Sequence, residues 1–111
     1  AEGAYLRTSM QQAFARLRSG QPGKLPRPVE DIDAEIGPQM RRAVDQALRV
    51  TAVGGKAAVR QQLQGFIDRY APDEVILTGQ IHDVQARKHS FAIAMAAAQA
   101  ITARAPEPVD P

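Results

Sequence analysis

Neither cysteine nor tryptophan occurs in this chain of 111 residues. The first absence excludes disulfides and thiolate chemistry and fits a reducing, cytoplasmic setting. The second, with aromatic side chains at only 5% of the sequence, means that any core is built mainly from Ala, Leu, Ile and Val; the aromatics are Tyr5, Phe14, Phe66, Tyr70 and Phe91. No apolar run approaches the roughly 18 residues that a bilayer span needs, and no signal-peptide pattern opens the chain, so no membrane partner is expected. Excess charge is scarce as well. Fourteen Lys and Arg against 12 Asp and Glu leave +2, and the acids are interspersed, as in Glu30-Asp31-Ile32-Asp33 and Asp73-Glu74. So small and dispersed a surplus argues against a nucleic-acid partner, for which only the abundance of Arg speaks. The first residue is Ala rather than Met, compatible with a processed or truncated product and equally with ordinary Met removal.

What the sequence does contain is helical periodicity broken by two β-like runs. Leu6, Met10, Ala13, Phe14 and Leu17 recur at helical spacing, with Arg7, Gln11, Gln12, Arg16 and Arg18 on the other side. They predict a helix of about four turns, ended by Ser19-Gly20, whose apolar stripe faces a core. From Gly20 to Pro38 the composition turns to Pro, Gly and charge, which defeats both helix and central strand. A connection of that length is either a binding loop or an extended linker. Pro38 then opens a helix with Met40, Val44, Ala47 and Leu48 as its apolar line. A third helix carries Val59, Leu63, Phe66, Ile67 and Tyr70, and a fourth, with Asp83 placed to cap it, carries Val84, Phe91, Met95, Ala98 and Ile101.

Between these helices, Val50–Val53 and Glu74–Thr78 read as short strands, the first stopped by Gly54-Gly55. That is βαβα order. A right-handed crossover makes such strands parallel and adjacent, and parallel strands are normally covered on both faces. Two strands close no sheet, so the chain reads as the last section of a larger α/β protein. The expected organisation is a helix over 1–19, a Pro/Gly-rich loop over 20–37, a helix and terminal βαβα unit over 38–104, and a fraying tail over 105–111.

Several of these residues carry a resemblance. Val53-Gly54-Gly55-Lys56-Ala57-Ala58-Val59-Arg60, Ala71-Pro72-Asp73-Glu74-Val75-Ile76-Leu77-Thr78, Gln80-Ile81-His82-Asp83 and Ala86-Arg87-Lys88-His89-Ser90-Phe91 together resemble the C-terminal end of the luciferase-like flavin-dependent monooxygenases. Pro72 departs from the Ala or Gly more usual before the acidic pair. Upstream, Gln11–Val29 is similar to the segment these proteins carry before their penultimate strand, so the resemblance runs from about Tyr5 to Met95. It implies the C-terminal part of a (β/α)8 TIM barrel in which reduced flavin, FMN, and O2 oxidise a small organic substrate. A barrel needs about 250 residues, so the resemblance also implies that this section is inactive alone and is completed by the remainder of the barrel or another copy of the chain, in a homo-oligomer. The alternative is a non-catalytic α-rich interaction or assembly module.

In parallel α/β architectures ligands gather at the carboxyl ends of strands, here Gly54-Gly55-Lys56 and Thr78–Asp83. The helix N-terminus after Gly54-Gly55-Lys56 suits a phosphate, or the glycines merely make a tight turn. Thr78 and Gln80 either hydrogen-bond a ligand at a pocket rim or satisfy the strand end. His82 can donate to a flavin or substrate oxygen near neutral pH, or is a solvent-facing loop residue beside a helix-capping Asp83. His89 belongs on a polar face. Two His seven residues apart with one nearby carboxylate make no recognised metal spacing. No catalytic residue is assigned.

Overall fold

The computed structural model describes residues 1–101; the tail over 105–111, expected to fray, lies outside the described residues. Five helices follow one another: α1 Glu2–Arg18, α2 Ile32–Ile36, α3 Pro38–Ala47, α4 Lys56–Tyr70 and α5 Val84–Gln99. Helices α1, α2 and α3 pack on one another and α4 packs on α5, with no helix of the first group against a helix of the second. The result is elongated, 55 × 28 × 21 Å. Its radius of gyration of 16.2 Å exceeds the ~13 Å of a compact chain of about 100 residues.

Local chemistry accounts for the helix ends. At the end of α1 the Gly20 N–H donates to the Leu17 carbonyl (3.2 Å) and the Gln21 N–H to the Arg16 carbonyl (2.8 Å), the paired bonds that close a helix before a left-handed residue. The Pro/Gly-rich stretch expected to be irregular contains α2, because Asp31 starts it by accepting from the Ala34 N–H at 3.1 Å; Gly37 then turns the chain and Pro38 opens α3. At α5, Asp83 accepts from the Ala86 N–H at 2.7 Å.

The two expected parallel strands are absent: among the described residues there is no strand, and the fold is helical rather than α/β. The reason is pairing. A strand exists only when a neighbour takes up its N–H and C=O groups. Val50–Val53 and Glu74–Thr78 have no such neighbour, and Val50 (65%) and Ile76 (83%) stand open to solvent. At Val53 a side chain substitutes: the Val53 N–H donates to Gln62 Oε1 (3.0 Å) and Gln62 Nε2 donates to the Val53 carbonyl (2.8 Å).

A second correction concerns the helix faces. α1 buries Thr8, Ser9, Gln11, Gln12 and Ala15, not the expected stripe of Leu6, Met10, Ala13, Phe14 and Leu17. At ~100° per residue the two sets lie about 180° apart. In α5 the fully buried residue is Ala97, while Val84, Phe91 and Met95 of the expected stripe are exposed. Periodicity located both helices and misassigned their inner faces.

Candidate functional site

The residues singled out at the expected strand ends fall in two exposed turns. Gly54 takes φ +137, a region closed to most side chains, and a Cβ built on it would stand 2.7 Å from the Ala58 Cβ, so the turn into α4 requires glycine there. Gly55 is the N-cap of α4 and supplies no side-chain cap. The first N–H groups of α4, at Lys56, Ala57 and Ala58, are therefore uncapped beside an exposed Lys56. The turn is fastened on its two sides, by Gln62 through Val53 and by the start of α1, where a Cβ on Gly3 would meet Val53 Cγ1 at 2.9 Å.

Thr78, Gln80, His82 and Asp83 lie in or beside the second turn, and all four are exposed. Gly79 lies against the Phe91 ring, its Cβ position 3.6 Å from that ring's edge, which lays this segment over the first turns of α5. Asp83 is engaged as the helix cap, and the Ile81 carbonyl accepts from Arg87 Nη1 at 3.4 Å. His89 is likewise exposed. Neither turn contributes a residue to either of two shallow hollows in the first helical group. The larger, about 740 Å³, lies at the start of α3 among Arg18, Gly37, Gln39, Met40 and Arg42, and the smaller between α1, Glu35 and Met40.

What the sequence reading missed is a polar network inside the first helical group. Asp45 of α3 receives Gln11 Nε2 at 2.7 Å and pairs with Arg7 at 3.6 Å and Arg41 at 3.2 Å; Arg41 also binds Asp33 of α2. Hydrogen bonding from Asp33, then its charge, then Asp45, hold the Arg41 guanidinium above its ordinary pKa. Gln12 Nε2 donates to the Arg27 carbonyl at 2.8 Å and the Val29 N–H to Thr8 Oγ1 at 2.9 Å. The one readable signal was Arg41 and Asp45 at i, i+4. Two arginines against two aspartates compensate one another, so the cluster orients helices rather than offering a free acid or base.

No family model matches the chain, and no solved structure matches it. Curated proteins do. Over 94 residues, 85% of this chain, it is 46% identical to a protein of Escherichia coli (strain K12) named luciferase-like monooxygenase, and equally to its counterpart in Escherichia coli O6:H1. The chain is a relative of the luciferase-like monooxygenases. It is also 34% identical over 89 residues to the uncharacterized protein YvbT of Bacillus subtilis (strain 168). The match spans 28% of the length of the Escherichia coli relatives and 26% of the Bacillus one.

As a relative of these monooxygenases, the chain shares with them a section much shorter than the whole protein. Among the described residues no group of three or more His, Asp or Glu is placed to hold a metal ion, and no helix is long and apolar enough to cross a membrane.

Proposed function

We propose that this chain acts as the C-terminal section of a flavin-dependent luciferase-like monooxygenase, which uses reduced flavin and O2 to oxidise a small organic substrate, and that the section is inactive alone. The observation that carries the reading is the 46% identity to a luciferase-like monooxygenase over 85% of this chain. The exposure of both candidate turns supports the second half of the reading. A ligand-binding site buries most of its ligand, whereas Lys56, Thr78, Gln80, His82 and Asp83 all stand exposed.

FMN is the cofactor this reading implies. The uncapped N–H groups of Lys56–Ala58 with the Lys56 ammonium make a donor set that suits its phosphate. In this reading its three-ring system is enclosed by residues outside the chain. When bound, reduced flavin supplies the electrons that activate oxygen. On this chain's side, Lys56 neutralises phosphate charge, Gly54 lets the turn approach it closely, and Thr78, Gln80 and His82 stand at the pocket rim.

A chimera tests the proposal. This whole chain replaces the matched section of the Escherichia coli K12 relative, and FMN is titrated by quenching of flavin fluorescence. The chimera is expected to bind FMN and to shift the rate at which O2 reoxidises reduced flavin away from that of free reduced flavin, whereas this chain alone does neither. Turnover by this chain alone, or a folded chimera that ignores flavin, overturns the reading.

A further inference from the structure

We infer that Gln62 is a positioning residue for the phosphate end of the flavin: by clasping Val53 it aims the N–H groups of Lys56–Ala58, and it thereby sets the preference of the site for FMN over unphosphorylated riboflavin. The inference rests on the proposed function for the ligand and on the geometry of the clasp for the role.

Three observations carry it. First, a single carboxamide takes both backbone groups of the residue before Gly54. The Val53 N–H donates to Gln62 Oε1 at 3.0 Å, and Gln62 Nε2 donates to the Val53 carbonyl at 2.8 Å. Gln62 stands in the second turn of α4, so the helix grips its own entrance. The direction in which the chain enters α4 is thereby fixed relative to the N–H groups that α4 leaves free. Second, the turn has no side chain of its own to do this. Gly55 gives α4 no side-chain cap, and Gly54 sits at φ +137. Two successive glycines are the loosest backbone available, and donors must be held in place to favour one ligand over another. The start of α1 meets the same residue, since a Cβ on Gly3 would stand 2.9 Å from Val53 Cγ1. Val53 is thus the point at which the turn is anchored, and Gln62 supplies its hydrogen bonds.

Third, the charges around the clasp suit an anion. α4 carries no acid before Asp68, while Lys56 and Arg60 are exposed one turn apart and form no ion pair among the described residues. Gln62 fastens the turn without adding a carboxylate to this field. A Glu in its place could accept from the Val53 N–H but would repel the Val53 carbonyl and the phosphate alike.

Gln62→Met tests the role, because it keeps the length and helix propensity of the side chain while removing both hydrogen bonds. Gln62 is exposed, so the change opens no cavity. FMN and riboflavin are each titrated into the chimera by flavin fluorescence, with Gln61→Met at the adjacent exposed position as control. Gln62→Met is expected to weaken FMN about tenfold, as loss of two ordinary hydrogen bonds allows, and to leave riboflavin within about twofold. Gln61→Met changes neither. In this chain alone, the Val53 amide is expected to exchange faster in the Gln62 variant. Equal weakening of both flavins would make Gln62 merely structural and overturn the inference, as would FMN affinity that does not change. An unsubstituted chimera that binds FMN and riboflavin equally well keeps the flavin reading and removes this inference alone. One that binds neither removes both.

Discussion

The two groups of helices hold together by opposite means. In α1–α3 the contacts that fix the helices are polar, with Asp45 receiving Gln11 and two arginines and with Arg41 reaching Asp33; Val44 is fully enclosed among them. In α4–α5 no ion pair occurs among the described residues, and the pair rests on Leu63 and Ala97. Yet both groups turn their large apolar side chains outward, Leu17 in the first and Tyr70, Phe91 and Met95 in the second. Internal cohesion and hydrophobic surface are thus carried by different residues.

If the groups are separate, damage to one stays in it. Leu63→Ala removes the main apolar contact of α4–α5 and is expected to cost about 2–3 kcal/mol, read by hydrogen exchange as faster amides in α4 and α5 with α1 and α3 unchanged. Val44→Ala, about 2 kcal/mol by loss of two methyl groups and the space they fill, gives the mirror result. Deprotection of all five helices by either change would show one cooperative unit and end the comparison. Asp83→Ala removes the cap of α5 and is expected to cost about 1 kcal/mol, measured as a lower urea midpoint for α4–α5 alone. The smallest change is a gain. Ala71 closes α4 in the left-handed region at φ +43, so Ala71→Gly is expected to stabilise the same pair by about 0.5 kcal/mol, seen as a raised midpoint.

Helices were legible in the sequence where a repeat and a cap coincided, as at Asp83 before Val84, or where a repeat ran long, as along Val59, Leu63, Phe66, Ile67 and Tyr70. α2 was not, because five residues carry no readable period and the prolines around them point to a loop. The strands were misread for a physical reason. Val75-Ile76-Leu77 has the side chains of a covered strand, but side chains propose a strand and neighbouring backbone makes it. The buried face of α1 was inverted for a related reason, since period reports which residues avoid water and not which surface of the same chain receives them. Of the candidate site, the sequence marked the glycine turn at Gly54 and the cap at Asp83. The cluster around Asp45 needed three helices brought together, with Gln11 and Asp45 separated by 34 positions along the chain.

The clasp between Gln62 and Val53 has a kinetic side. Its partners are 9 residues apart, so closing that loop costs little entropy and the clasp forms as soon as α4 winds. The extended run before Gly54 therefore takes its shape from an adjacent helix, early and locally. Fixing one residue's backbone costs ~1–2 kcal/mol, so a Val53 already held in place enters a later association pre-shaped, and the association proceeds with that much less ordering left to do.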